Sequence, residues 1–251
     1  MAWQAWLAWS RATVDCFDFR LKVTIDPLFA PIARDLDLAS RPQKILFLPA
    51  HQGMLEHFVV FSVFNAPEFL EAMGWDRSVP FVQFARTGLA RSTSIKIGPW
   101  EISIFGMSPK RFDQLFVDVD GYVTRESLDF TSHTIPRFLE AMAKRPGLIY
   151  PMGTTASFDV QLFPLQHALF AKLSQDILII PIVFRGSHSL WPRCPKGNMN
   201  INPGVIEAVI LPPMLGETTL LPKRRSLRIQ LEAANLFQAV HIATLLNPEK
   251  Q

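Results

Sequence analysis

Short apolar runs alternate along the chain with amphipathic segments, and this order predicts an α/β fold. Strands are predicted at the apolar runs 44–49, 79–84, 102–105, 114–119, 147–151, 177–184 and 205–211. Helices are predicted at 53–64, 67–74, 129–145, 159–175 and 226–246. Most of the twenty prolines lie near the ends of these segments, as expected for residues that interrupt helices and strands. We therefore expect a sheet flanked by helices in a single domain over residues 1–251.

The N-terminal segment 1–24 predicts an amphipathic helix. One face of its helical wheel carries Trp3, Trp6, Leu7, Val14, Phe17 and Leu21. Tryptophans favour a membrane interface, where the ring is buried and the N–H stays hydrated. The same face could instead pack against the body of the protein, and the pattern leaves both interpretations open. The segment lacks the features of a signal peptide, and no apolar run reaches the ~18 residues that would span a bilayer.

Composition narrows the class of protein. The chain has 251 residues, of which 49% are hydrophobic, enough for one sizeable core. The net charge of +3 comes from scattered basic residues, which suits an anionic membrane surface or an acidic carrier protein better than a nucleic acid. Two cysteines, Cys16 and Cys194, have no metal-binding spacing, so neither a disulfide framework nor a thiolate metal site is expected. A reducing, cytoplasmic setting is the default expectation.

Candidate chemistry lies in the stretch PAHQGMLEHF, residues 49–58, at the junction of an apolar strand and a helix. His51 precedes the predicted helix, so its ring is free to turn toward Glu56. Such a pair supports general-base catalysis, because the carboxylate fixes the imidazole tautomer and stabilises the imidazolium. The alternative is a helix cap beside a surface charge. A zinc site of the His-x-x-Glu-His type is disfavoured, because the first interval, from His51 to Glu56, is too long.

Four segments, of which His51–Glu56 is the first, resemble motifs of the lysophospholipid or glycerolipid acyltransferase family and occur in the same order along the chain. The 1-acylglycerol-3-phosphate acyltransferases of this family carry a His-x4-Asp motif. The resemblance spans residues 44–213, with Glu56 in place of the aspartate. LIYPMGTTAS, 148–157, is similar to the third motif, Phe-Pro-Glu-Gly-Thr-Arg-Ser. ILIIPIVFRGSHSLWPR, 177–193, resembles the fourth motif, and NPGVIEAVILPP, 202–213, resembles the closing strand.

The resemblance implies a mixed sheet flanked by helices and an enzyme that moves a fatty acyl group from an acyl thioester. The donor would be acyl-carrier protein or acyl-coenzyme A, and the acceptor a hydroxyl or amine of a lipid or glycoside. His51 would be the base and Glu56 would orient it, with no metal and no bound cofactor. Backbone donors near Gly153 and Thr154 would stabilise the oxyanion. We expect a cytoplasmic protein, peripheral on the inner face of the membrane, that acts in lipid metabolism such as phospholipid biosynthesis.

The acceptor site departs from the family pattern. Met152 and Thr155 replace the glutamate and arginine of the third motif, and the second motif lacks its arginine. A loop that presents Gly153, Thr154 and Thr155 offers N–H groups and hydroxyls, which suit a neutral or amino acceptor better than a phosphate. Alternatively, one of three other arginines supplies the positive charge that these positions lack: Arg86, Arg125 or Arg185.

Three other functions remain open at the level of sequence. The chain could be an ordinary 1-acylglycerol-3-phosphate acyltransferase of phospholipid synthesis. It could also be a non-catalytic acyl-binding relative, or a hydrolase that uses the same pair on a thioester with water. The absence of a Gly-x-Ser-x-Gly motif argues against a serine hydrolase.

Overall fold

A computed structural model gives the fold of the protein, and it describes residues 2–38, 44–50, 56–74, 81–86, 94–97, 100–103, 114–117, 134–150, 172–173, 176–190 and 201–215. The strands within these ranges are β1 (Phe19–Ile25), β2 (Ile45–Pro49), β3 (Val82–Arg86), β4 (Ser94–Ile97), β5 (Trp100–Ser103), β6 (Gln114–Val117), β7 (Gly147–Leu148), β8 (Leu178–Arg185), β9 (Gly204–Ile210) and β10 (Met214–Leu215). The helices there are α1 (Ala2–Cys16), α2 (Phe29–Asp35), α3 (Glu56–Val63), α4 (Pro67–Met73), α5 (Ile135–Met142) and α6 (Ser187–Leu190).

One mixed sheet organises the described residues, in the strand order β1-β9-β8-β2-β7-β3-β6, with β10 paired to β8. The pairings among β8, β2, β7, β3 and β6 are all parallel, whereas β9 and β10 run antiparallel to β8. β4 and β5 form a separate antiparallel pair. The mixed sheet flanked by helices that the sequence predicted is thus confirmed, and the carboxyl ends of five neighbouring strands lie along one edge of it.

Helices cover both faces of the sheet. β2 is buried along its whole length, and its side chains alternate between two apolar clusters. Ile45 and Phe47 pack with buried residues of α1–α4, while Leu46 and Leu48 pack with α5. A parallel strand that is buried on both faces reads as a continuous apolar run, which is why the segment 45–49 was recognisable in the sequence.

Aromatic packing fixes α3 and α4 against the centre of the sheet. The ring of Phe47 on β2 lies 5.1 Å from that of Phe64, 5.8 Å from that of Phe69 and 5.3 Å from that of Phe81, measured between ring centroids. Phe64 and Phe81 are stacked at 4.4 Å. This cluster holds the helix that begins at Glu56 in a defined position over β2.

The N-terminal helix is shorter than predicted, because residues 19–25 form a strand. α1 ends at Cys16, and Asp18 has a left-handed backbone with φ of 53°. The following segment FRLKVTI pairs in parallel with β9, from Phe19 opposite Gly204 to Ile25 opposite Ile210. The prediction of a helix over 17–24 was therefore wrong. Pairing with β9 outweighs the local preference of these residues for a helix.

α1 packs on α3. Leu7 and Val14 belong to the core cluster that contains α3, and the hydroxyls of Ser10 and Ser62 form a buried hydrogen bond of 3.0 Å. This part of the apolar face therefore packs on the body of the protein. The side chains of Trp3 and Trp6 lie outside the described part, so the membrane interpretation of that end stays a prediction. Within the described ranges, no helix combines the length and apolarity needed to cross a bilayer.

For the other predicted helices and strands, the ends that fall in the described ranges lie within a few residues of the predicted ends. α5 covers 135–142 of the predicted helix 129–145, and β8 covers 178–185 against 177–184. The predicted helix 226–246 lies outside the described residues, as does the predicted helix 159–175 apart from 172–173.

Replacing Phe47 by alanine should lower the free energy of unfolding by about 3–5 kcal/mol, because it removes a fully buried ring and leaves a cavity between β2 and α3. Denaturant unfolding followed by circular dichroism measures this. Leu28, which is 60% exposed, is the control, and Leu28→Ala should change the free energy by less than about 0.5 kcal/mol. Equal effects of the two substitutions would contradict this packing.

Candidate active site

The candidate site lies where the central parallel strands end. Ala50 follows β2, Tyr150 lies just beyond β7, and Gly186 follows β8. Because β8, β2 and β7 are parallel neighbours, these three positions share one edge of the sheet. Ligands of open α/β sheets bind at the carboxyl ends of the strands, so this edge is the expected place for chemistry.

Glu56 is a buried carboxylate at this edge. It is the first residue of α3, and its exposed fraction is 0%. The Oγ of Ser187 donates a hydrogen bond of 2.5 Å to its Oε1, and Ser187 is likewise 0% exposed. A hydrogen bond from a hydroxyl favours the ionised form of a carboxylate. The start of a helix also favours negative charge, since the dipole of α3 is positive there.

The backbone at Gly186 positions Ser187. Gly186 has φ of +85°, and a Cβ built on it would lie 2.6 Å from the carbonyl oxygen of Val205 on β9. Only glycine fits this close approach in this conformation. The chain turns there from β8 into α6 and directs the Ser187 hydroxyl toward Glu56. The structure thus explains why a glycine stands at position 186, in the segment that resembles the fourth motif.

Tyr150, in the segment that resembles the third motif, lies in the same environment as Glu56. Burial and, secondarily, the negative charge of Glu56 raise the pKa of its phenol well above the ordinary value of 10.0. The phenol therefore keeps its proton to a higher pH than an ordinary tyrosine does. The two residues belong to segments far apart in the sequence, and the ends of β7 and β2 bring Tyr150 and Glu56 to the same edge of the sheet.

Several predicted site residues lie outside the described ranges. These are His51, Arg125, Gly153, Thr154 and Thr155. The described chain continues to Ala50, whose N–H donates to the carbonyl of Ile182 on β8 at 2.8 Å, and it resumes at Glu56. Both flanking residues are buried, so His51 follows directly on a residue of this edge. No cluster of three or more histidine, cysteine, aspartate or glutamate residues suited to a metal occurs in the described part.

Arg185, predicted to bind substrate, is placed on the other face of the sheet from Glu56. Its neighbour Phe184 belongs to the cluster under α1–α4, whereas Val183 belongs to the cluster under α5. The pleat therefore directs Arg185 away from the side that carries α3. Its NH1 lies 3.0 Å from Oε2 of Glu207, the residue opposite it on β9. The structure does not bring Arg185 and Glu56 together, and a substrate role for Arg185 stays a prediction.

Glu207 is the centre of a polar group that joins β1, β9 and β8. Thr24 donates to its Oε1 at 2.9 Å, and Lys22 lies 3.2 Å from the same oxygen. Partial burial acts to raise the pKa of Glu207, but the hydrogen bonds from Thr24, Lys22 and Arg185 outweigh burial and lower the pKa below its ordinary value. The group therefore stabilises the sheet in its ionised form.

Sequence reasoning did not single out Ser187 or Tyr150. A serine that follows a strand and a glycine is most simply interpreted as a helix cap. A tyrosine at a strand end is most simply interpreted as core. The only local signal was their position inside the segments that resemble the fourth and third motifs.

Comparison with known proteins supports the fold. No protein-family model matches the chain, and no curated protein matches it in sequence. Among solved structures, the chain is similar to the crystal structure of the 1-acyl-sn-glycerophosphate (LPA) acyltransferase, PlsC, from Thermotoga maritima, with a TM-score of 0.53. The match covers 93% of this chain and 79% of that chain at 12% sequence identity. At this identity the likeness establishes the fold, and the predicted acyltransferase-like α/β fold is confirmed.

The Glu207 group predicts a pH dependence of stability. Because the folded-state pKa is lowered, the contribution of Glu207 is fully present above its ordinary value of 4.5 and is lost as the pH falls through the lower folded-state value. Urea unfolding of the wild type and Glu207→Gln between about pH 3 and pH 8 measures it. The wild type should be the more stable at neutral pH, and the difference should shrink on acidification. A difference that grows on acidification would contradict this ion-pair arrangement.

Proposed function

We propose that the protein is an acyltransferase that moves a fatty acyl group from an acyl thioester to a hydroxyl or amine of a lipid or glycoside. The observation that carries this proposal is the buried, hydrogen-bonded carboxylate of Glu56 at the carboxyl edge of the sheet. It is the carboxylate of the His51-x4-Glu56 pattern, and residues from two other segments that resemble motifs of the acyltransferase family, Tyr150 and Ser187, interact with it. The fold shared with an LPA acyltransferase supports the same reaction class.

In the proposed mechanism His51 is the general base and Glu56 orients it. The acceptor oxygen or nitrogen attacks the thioester carbonyl carbon while His51 takes the acceptor proton. Glu56 accepts a hydrogen bond from the other ring N–H of His51 and stabilises the imidazolium. The tetrahedral intermediate then collapses, the C–S bond breaks, and the thiol of the carrier leaves with the proton from His51. The thioester is already activated, so no covalent acyl-enzyme is required.

The loop after β7 would contact the reacting groups. Backbone N–H groups at Gly153 and Thr154 would stabilise the oxyanion, and Thr155 would hydrogen-bond the acceptor. Acyl-carrier protein or acyl-coenzyme A would supply the acyl group. The net charge of +3 suits attachment to the anionic inner face of the membrane, where lipid acceptors reside.

A second candidate function is acylation of lysophosphatidate itself, as in ordinary phospholipid synthesis. The observation that favours it is the fold shared with PlsC. Against it stand Met152 and Thr155 at the positions where the family has charged residues. In that case Arg125, or Arg86 at the end of β3, would have to bind the phosphate, since Arg185 is engaged by Glu207.

His51→Ala should lower the rate of acyl transfer by about 10²–10⁴-fold without unfolding the protein, because the base is lost. Glu56→Gln should cost less, since the base survives while its orientation and charge stabilisation suffer. Steady-state kinetics with a labelled acyl thioester measures both. Glu68, exposed in the first turn of α4, is a matched control, and Glu68→Gln should retain wild-type activity. Turnover by His51→Ala near the wild-type rate would reject the mechanism.

A neutral hydroxylated or amino lipid, or a glycoside, should be a better acceptor than lysophosphatidate. Each charged hydrogen bond missing from the third-motif loop should cost about 1.5–3 kcal/mol, roughly ten- to more than a hundredfold in binding of a phosphate. Competition between the two acceptor types, with one acyl thioester, measures the preference. Preferential acylation of lysophosphatidate would instead support the second candidate function.

A further inference from the structure

Two serine hydroxyls form buried hydrogen bonds to α3, and they differ in what they contact. Ser10 on α1 forms a hydrogen bond with Ser62, a polar side chain in the last turn of α3. Ser187 bonds the carboxylate of Glu56 at its first residue. The first contact joins two neutral groups, whereas the second joins a hydroxyl to the group that the proposed mechanism requires to be ionised.

In the proposed mechanism one carboxylate oxygen of Glu56 accepts a hydrogen bond from His51. The other oxygen needs a hydrogen-bond donor that is fixed in place. A carboxylate that accepts a hydrogen bond from one ring N–H has a second oxygen, and at 0% exposure bulk solvent does not reach it. A buried anion without such a donor is strongly disfavoured, so it would take up a proton or rotate. The Ser187 hydroxyl meets this need at Oε1, and the turn at Gly186 holds it in place.

We propose that Ser187 is a positioning residue for acyl transfer, which holds Glu56 in the orientation and charge state in which it can support His51. This inference rests on the proposed function. Ser187 does not act as a nucleophile in it, because its Oγ is buried and its hydroxyl proton is committed to Glu56.

Kinetic constants of the wild type, Ser187→Ala, Glu56→Gln and the double variant test the proposal, with His51→Ala measured alongside. Ser187→Ala should lower kcat about tenfold, the effect of losing one hydrogen bond to a charged group, and should change KM for either substrate by less than about threefold. In the Glu56→Gln background the same substitution should lower kcat by less than about threefold, because the anion it serves is absent. Ser62→Ala is the matched control, since it removes a buried hydroxyl of α3 and should leave kcat unchanged.

Melting curves establish that each variant is folded. If Ser187→Ala does not fold, Ser187→Cys takes its place, because cysteine keeps the side-chain size but is only a weak donor. A kcat for Ser187→Ala equal to that of the wild type, a loss as large in the Glu56→Gln background, or the same loss in Ser62→Ala would overturn the positioning role. With His51→Ala inactive, any of these results leaves the proposed function intact. Equal transfer by the wild type and His51→Ala would reject the proposed function and this inference together.

Discussion

Burial of the Glu56 carboxylate is the constraint on which the site depends. A charge out of water is tolerated only where the surrounding structure supplies donors and favourable dipoles. Here α3 places the carboxylate at its positive end and β8 delivers the Ser187 hydroxyl through Gly186. Tyr150 lies at the same edge, where burial and the charge of Glu56 raise the pKa of its phenol. The parallel order of β8, β2 and β7 makes this convergence possible, because all three strands end at the same edge.

The parts of the fold that were predictable are those in which burial dictates a continuous pattern. β2, β8 and β9 are apolar over nearly their whole length, and their predicted bounds agree with the structure to within one or two residues. β1 was missed because its residues also fit one face of a helix. Its strand conformation is stabilised by pairing with β9, from Phe19 opposite Gly204 onward. The local sequence of β1 does not indicate a pairing with a strand so far away in the chain.

The sequence predicted candidate residues for the site, but not their contacts in the fold. The pattern of His51 and Glu56 suggested a base and its carboxylate, and the structure shows Glu56 buried at the expected edge. The role of Ser187 was not predicted, because Ser187 and Glu56 are 131 positions apart in the sequence. Arg185 was selected by its motif, yet the side of the sheet that it faces depends on which helices cover each face, and α3 covers the opposite one.

In the proposed mechanism Glu56 supports transfer of an acyl group, not its hydrolysis or storage. The most direct measurement is to incubate the purified protein with a labelled acyl thioester and a total lipid extract, and to separate the products by mass spectrometry. We expect the label to appear in a new acylated lipid or glycolipid, with release of the free thiol of the carrier. Label recovered only as free fatty acid, or retained on the protein without turnover, would contradict it.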